Sequence, residues 1–197
     1  MLTAEKAKAA LPTASELPAG WTVKVVSGQD PAVTSNAAKL AGQITYKPAA
    51  CQAFYDKLSA NDAAAKAANA TKAAAVATPG SGYGTTAVFS VSSFANAADS
   101  SAPLAASKGF DACKSFTASS KLGTYSYEVS RLTPPALGDA QSAFLMTMTV
   151  SSVTVHVTVV MVQVGHNLIS AVETGTSATA PVPYEPILKA MVTKLAA

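Results

Sequence analysis

The sequence predicts an α+β fold in which an antiparallel β-sheet of about five to six strands carries helices on one face. Two observations point to it. Between Phe144 and Met161, apolar residues alternate with Ser, Thr and His at the period of two that is typical of strands. The predicted elements run as helices, one strand, two helices, then mostly strands and a closing helix. With 197 residues, the chain is expected to form a single domain, residues 1–197.

The alternation predicts a β-hairpin whose two-residue turn is Ser151-Ser152. Apolar side chains then face each other across the two strands, which stabilises a sheet and sets its register. The expected pairs are Val150 with Val153, Met148 with Val155, Met146 with Val157 and Phe144 with Val159. A turn at Gly165-His166 leads into a third strand, Leu168 to Val172.

Proline positions, propensity and periodicity predict the other elements. Helices are expected at Thr3–Ala10 with Thr3 as N-cap, at Pro48–Leu58, within Asn96–Phe116, and at the C-terminus with Ile187, Leu188, Met191 and Leu195 on one side. Strands are expected at Trp21–Val26, Thr85–Phe94 and Gly123–Leu132. An Ala-rich segment from Asp62 has a polar stripe at helical spacing (Asp62, Lys66, Asn69, Lys72), which favours a helix, with a loop as the alternative.

The charge pattern argues against a nucleic-acid partner. Charged residues make up 13% of the chain, the net charge is +3, and Arg131 is the single arginine. The lysines are scattered and form no basic stripe.

The apolar runs are too short and too often interrupted by Thr, His and Gln for a membrane-spanning helix.

The sequence contains none of the common catalytic signatures. It has no Gly-x-Ser-x-Gly elbow and no Ser-x-x-Lys pair, and the Gly-rich stretch Pro79–Gly84 precedes a strand instead of opening a helix. Two scattered histidines, His156 and His166, and no acidic cluster do not favour a transition-metal site. We therefore expect a protein that is not an enzyme and has no catalytic residues, cofactor or metal.

Four residues form the candidate ligand-binding set: Thr147, His156, Glu128 and Glu173. His156 lies on the polar face of the hairpin, opposite Thr147 in the expected register. Glu128 lies on the polar side of the Gly123–Leu132 strand, and Glu173 ends the third strand. These side chains converge if the strands are neighbours, although a solvated sheet face explains them equally well. A hydrolase of unfamiliar type would need Glu128, Glu173 or Asp139 to meet His156 in a cleft.

Cys51 and Cys113 are the two cysteines of the chain, and they are too far apart for a CxxC redox or zinc motif. They form either two separate buried thiols or one disulfide.

Met1 leads directly into a polar helix without a signal peptide. The chain is therefore either cytoplasmic or a mature form whose Met1 was added by an expression vector.

Short segments spread over most of the chain resemble a family of actinobacterial secreted proteins and lipoproteins that includes PknH-like extracellular sensor domains. These segments are Leu11–Trp21, Pro48–Cys51, Phe110–Cys113, Leu137–Asp139 and Val162–Gly165. Trp is common in the family in place of Phe110, and Arg takes the place of Gln163.

The resemblance implies an envelope location, a Cys51–Cys113 disulfide, and a sheet whose helices enclose a ligand-binding groove. The chain departs from the kinase sensor in having one cysteine pair instead of two and no kinase or membrane segment. We predict a non-enzymatic domain that is secreted or lipid-anchored ahead of residue 2, is monomeric, and binds or senses a small or amphipathic ligand. The alternative is a structural module of the envelope that binds an envelope protein.

Overall fold

The computed structural model describes residues 1–26, 44–52, 70–80, 84–120, 123–133, 136–177 and 182–196. Within these ranges, nine strands form one antiparallel sheet. The strands are β1 Trp21–Val26, β2 Thr45–Lys47, β3 Thr71–Pro79, β4 Thr86–Ser93, β5 Ser115–Ser120, β6 Gly123–Leu132, β7 Ala140–Val150, β8 Val153–Val164 and β9 Asn167–Gly175. Across the sheet their order is β1-β3-β4-β9-β8-β7-β6-β5-β2.

The described helices are α1 Ala4–Ala9, α2 Ala97–Ser107 and α3 Tyr184–Ala196, together with two short 3-10 helices at Ala14–Glu16 and Lys108–Ala112. Thr3 caps α1 as expected, because its side chain accepts a hydrogen bond from the backbone N–H of Lys6. Residues 49–52 are also helical, and the rest of the predicted Pro48–Leu58 helix lies outside the described residues.

The predicted hairpin is confirmed. β7 and β8 pair in the expected register, with Val150 opposite Val153 and Phe144 opposite Val159. The turn contains Ser151 with a positive φ of 54°. β9 then pairs with β8 and extends past the predicted third strand at both ends. Matching apolar positions across the strands were therefore enough to specify this register.

The sheet has nine strands instead of the expected five to six, because three strands were not predicted. β2 lies in a stretch for which the sequence pattern predicted no element, and β5 begins where the helix within Asn96–Phe116 was expected to end. β3 includes Lys72, which belongs to the Ala-rich segment that was expected to be a helix or, alternatively, a loop. The other residues of that polar stripe, Asp62, Lys66 and Asn69, lie outside the described residues. Alanine has a high helix propensity, but here its small side chain packs between the sheet and α1.

The prediction that the helices pack on one face of the sheet is wrong, because they lie on both. On the first face, which we call the α1/α3 face, Val160 and Val162 of β8 pack in one cluster with the buried residues of α1 and α3. On the opposite face, the α2 face, Met161 packs with Leu104 of α2 and with the Cys51–Cys113 disulfide. Both faces of the central strands are apolar, and each therefore needs a covering layer.

Candidate functional site

The described helices cover only half of the width of the α1/α3 face. The buried cluster beneath α1 and α3 extends over β1, β3, β4, β9, the second half of β8 and Ala143 of β7. The first half of β8 and the strands β7, β6, β5 and β2 present mainly Ser and Thr on this side, with the apolar Leu132, Ala143 and Leu145 at the margin next to the buried cluster. We call this half the hydroxyl face. It consists of Thr45, Lys47, Ser115, Thr117, Ser119, Thr124, Ser126, Glu128, Thr147, Thr149, Thr154 and His156, and none of them is buried.

Three of the four predicted site residues form one row across the hydroxyl face. The strand registers place Glu128 of β6 opposite Thr147 of β7, and Thr147 opposite His156 of β8. The Thr147 Oγ1 and His156 Nδ1 atoms are 3.1 Å apart, within hydrogen-bonding distance. Because Nδ1 is engaged in this way, Nε2 is the ring nitrogen left to interact with a ligand. Glu128 is exposed, and the ion pairs seen among the described residues, Arg131–Asp111 and Lys194–Glu16, do not include it.

The row next to the Glu128–Thr147–His156 row consists mainly of hydroxyl groups. Thr149 of β7 lies opposite Thr154 of β8, and their Oγ1 atoms are 3.3 Å apart. Further along the same row, Ser126 lies opposite Thr117, and Thr117 lies opposite Lys47. A hydroxyl offers one donor and two acceptor positions, so the cross-strand pair still has hydrogen-bonding capacity for a bound molecule.

The fourth predicted residue, Glu173, lies on the same side of the sheet but beneath α3. Its side chain is 4% exposed. The Tyr184 hydroxyl donates a hydrogen bond to Oε2 at 2.9 Å, and the backbone of Val182 also bonds the carboxyl group. Burial raises the pKa of Glu173, and these two hydrogen bonds offset part of the rise. The structure therefore brings Glu128, Thr147 and His156 together on an open surface and places Glu173 under the start of a helix.

Sequence reasoning missed the part of the hydroxyl face that β5 and β2 contribute. Ser115, Thr117 and Ser119 alternate with Phe116 and Ala118. Of these five residues, only Phe116 and Ala118 are buried. This is the pattern of a half-buried strand, and it could have been found from the sequence. Thr45 and Lys47 of β2 gave a weaker signal, because three residues are too few to show a period.

The carboxyl groups that a hydrolase would require are engaged elsewhere or lack a bond to His156. The backbone N–H of Gly165 donates to Oδ2 of Asp139 at 2.6 Å, and Glu173 is bonded to Tyr184. Within the described part of the chain, His156 has no hydrogen bond or ion pair with a carboxylate; Thr147 is its recorded partner.

Two other kinds of site are absent from the described ranges. No group of three or more His, Cys, Asp or Glu side chains is arranged to hold a metal ion. None of the described helices has the length and apolar character needed to cross a membrane.

The predicted disulfide is present. Cys51 and Cys113 are bonded, with their Cα atoms 5.5 Å apart, and both residues are almost fully buried in the cluster on the α2 face. The bridge connects the helical residues 49–52 to the end of the Lys108–Ala112 helix, just ahead of β5.

No protein-family model matches the chain, and no curated protein matches it in sequence. Solved structures do match it. The extracellular domain of PknH from Mycobacterium tuberculosis superposes with a TM-score of 0.64 at 16% identity, over 99% of this chain and 97% of that one. The chain has a PknH-like fold. A second structure with this PknH-like fold is an uncharacterized protein of Mycobacterium smegmatis, an ortholog of Rv0999, with a TM-score of 0.55 at 12% identity, over 99% and 100% of the two chains.

In this PknH-like fold, two of the segments that carry the sequence resemblance contact each other. The backbone N–H of Asp139 donates to the carbonyl oxygen of Gln163, and the Asp139 carboxylate accepts from Gly165. Gly138 lies so close to Gln163 that a Cβ there would overlap the Gln163 carbonyl oxygen. A glycine is therefore required for this approach.

Proposed function

We propose that the protein is a non-enzymatic, extracytoplasmic domain of the cell envelope that binds or senses a ligand at the hydroxyl face. Glu128, Thr147 and His156 are the proposed contacts. Glu173 is proposed to act as a positioning residue, because it holds the start of α3 through Tyr184. The observation that carries the proposal is the alignment of Glu128, Thr147 and His156 on an open half of a sheet whose other half is covered by helices.

The disulfide and the fold support the extracytoplasmic part of the proposal. Disulfides persist mainly in oxidising compartments, and Cys51 and Cys113 form one. The PknH-like fold spans nearly the whole chain, and the matching structure of PknH is that of an extracellular domain. A sensor-like role, secreted or lipid-anchored, is the proposal that fits both observations.

The proposed contacts can be tested with the two histidines of the chain. We expect the oxidised protein to show a saturable rise in Tm with one of three mycobacterial envelope fractions: a chloroform–methanol lipid extract, a neutral polysaccharide fraction or a peptide fraction. His156→Gln should raise the half-saturating concentration about tenfold, since hydrogen bonds at the ligand contribute about 0.5–1.5 kcal/mol each. His166→Gln is the matched control, because His166 lies in the β8–β9 turn.

Native mass spectrometry of the same samples would identify the bound species. Equal responses of the His156→Gln and His166→Gln variants would contradict the proposed contacts. No saturable response to any fraction, with a protein whose circular dichroism shows it to be folded, would contradict ligand binding itself.

The openness of the hydroxyl face favours one second candidate, a structural or protein-interaction module of the envelope. Such a module needs an accessible surface and no enclosed pocket. Stoichiometric co-purification of one envelope protein, lost in Glu128→Ala and retained in His166→Gln, together with no response to the three fractions, would select this candidate.

A further inference from the structure

We propose that the ligand of the hydroxyl face is an uncharged, polyhydroxylated glycan chain lying across β2, β5, β6, β7 and β8. This inference rests on the ligand-binding function proposed above and names the chemical class of the ligand. The observation behind it is that nine of the twelve residues of the hydroxyl face, on one open side of five neighbouring strands, are Ser or Thr.

The hydrogen-bonding chemistry of the face matches that of a sugar. Each Ser or Thr hydroxyl can donate one hydrogen bond and accept two, as a sugar hydroxyl can. The cross-strand pairs Thr149–Thr154 and Ser119–Thr124 have oxygen atoms 3.3 Å and 3.1 Å apart, so neighbouring hydroxyls already hold one another in place. A polyhydroxylated chain can add donors and acceptors to such pairs without breaking them.

The charges of the face exclude a polyanion as the preferred ligand. The face has one lysine, Lys47, and one acidic residue, Glu128, so its formal charges are opposite and equal in number. An anionic lipid headgroup, a nucleic acid or an acidic polysaccharide is recognised by clustered Lys and Arg, as in phosphate binding. The near-neutral balance of the hydroxyl face fits an uncharged chain.

The size and polarity of the face disfavour a second copy of the chain or another protein. Five strands span about 20 Å, and with same-side residues about 7 Å apart along each strand the face measures on the order of 300 Å² in projection. A standard protein interface buries about 800 Å² on each partner and has an apolar centre. The twelve side chains of the hydroxyl face are polar, and the apolar Leu145 lies at its margin and not at its centre.

The same composition predicts how affinity depends on glycan length. Tyr46, Tyr125 and Tyr127 lie on strands β2 and β6, but their positions in the register put them on the α2 face. The described part of the face has no Phe, Tyr or Trp to stack on a sugar, so each sugar is held by hydrogen bonds that contribute about 0.5–1.5 kcal/mol net. Single sugars should therefore bind weakly, and affinity should rise with the number of linked sugars that contact the face.

The test is affinity electrophoresis of the oxidised full chain through native gels containing a soluble mannan, a soluble galactan or the anionic polymer alginate. We expect retardation by at least one neutral polymer, no retardation by alginate, and no competition by the free monosaccharides. Thr149→Val/Thr154→Val should raise the apparent Kd about tenfold, because it removes two hydroxyls and preserves shape and strand propensity.

The matched control is Thr22→Val/Thr78→Val, which removes another exposed cross-strand Thr pair, with oxygen atoms 3.2 Å apart, from the α2 face. Its binding should be unchanged. The inference would be overturned by equal losses in both double variants, by retardation in alginate alone, or by self-association that Thr149→Val/Thr154→Val abolishes. If neither neutral polymer retards the protein but a lipid or peptide fraction raises its Tm, the glycan inference fails and the proposed ligand-binding function stands.

Discussion

Glu173 shows how a single residue can be misjudged when its surroundings are not known. Its position near the end of β9 suggested an exposed carboxylate beside His156. In the structure it is the one buried carboxyl group among the described residues, because α3 begins directly over it. Burial raises its pKa, while the hydrogen bonds from Tyr184 and the Val182 backbone lower it, and the net effect is a rise.

The raised pKa predicts a pH dependence with a defined sign. The folded state binds the Glu173 proton more tightly than the unfolded state, whose pKa is about 4.3. The stability contributed by protonated Glu173 is therefore fully present below that pH and is lost as the pH rises through the folded pKa. Glu173→Gln keeps a neutral side chain at every pH, so its free energy of unfolding relative to wild type should increase between pH 4 and pH 8.

Urea unfolding at the two pH values measures this difference. Glu128→Gln is the control, because it makes the same change at an exposed position away from α3. If the Glu173→Gln variant loses stability relative to wild type at pH 8, the ionised carboxylate is the form that α3 requires, and the interpretation is wrong.

At the scale of elements, the β7–β8 hairpin was the most predictable part of the chain. Four apolar pairs across the strands define one register, since a slip by one residue would turn every apolar side chain to the other side. The turn is the weak point of this hairpin. Ser151 has a φ of 54°, in the left-handed region that glycine adopts without strain.

Ser151→Gly is therefore expected to stabilise the protein by roughly 0.5 kcal/mol. Removing the strain of a left-handed residue stabilises the folded state by about 1–2 kcal/mol. The larger backbone entropy of glycine in the unfolded chain offsets about 0.5–1 kcal/mol of that gain. Thermal and urea unfolding would measure the gain. Ser152→Gly is the control and should be neutral or destabilising, because its φ is not positive. Equal destabilisation by both changes would show that the turn has no strain to relieve.

At the scale of the whole molecule, the two buried clusters lie on opposite sides of one sheet and share its strands. The cluster on the α2 face is small and contains the disulfide. Cys51 and Cys113 are separated by 62 residues, so the bridge closes a long loop in the unfolded chain. It also ties edge strand β2, through the helical residues 49–52, to the end of the Lys108–Ala112 helix.

Removing the bridge with Cys51→Ala/Cys113→Ala should lower the free energy of unfolding by about 4 kcal/mol in the chain-entropy model. That is a large share of the roughly 5–15 kcal/mol typical of a domain. Urea unfolding of the oxidised protein and of the double variant measures the loss, and reductant should destabilise the oxidised protein alone. Alkylation of both thiols in unreduced protein from an oxidising compartment would show that the bridge does not form.

The sequence by itself determined the local features whose cause lies within a few residues. These include the Thr3 cap, the strand at Trp21–Val26, the β7–β8 register and the apolar side of α3. It also placed Thr147 opposite His156, because a hairpin register sets every cross-strand pair at once.

Only the tertiary structure decided which distant strands are neighbours. Glu128 joins Thr147 because β6 pairs with β7, and β5 and β2 enlarge the polar surface because they add to that edge. Alanines with helical propensity form β3 because α1 packs closely on them. The packing of α3 likewise separates buried Glu173 from the exposed row. Burial and strand order depend on contacts between residues far apart in the chain, and local patterns do not contain that information.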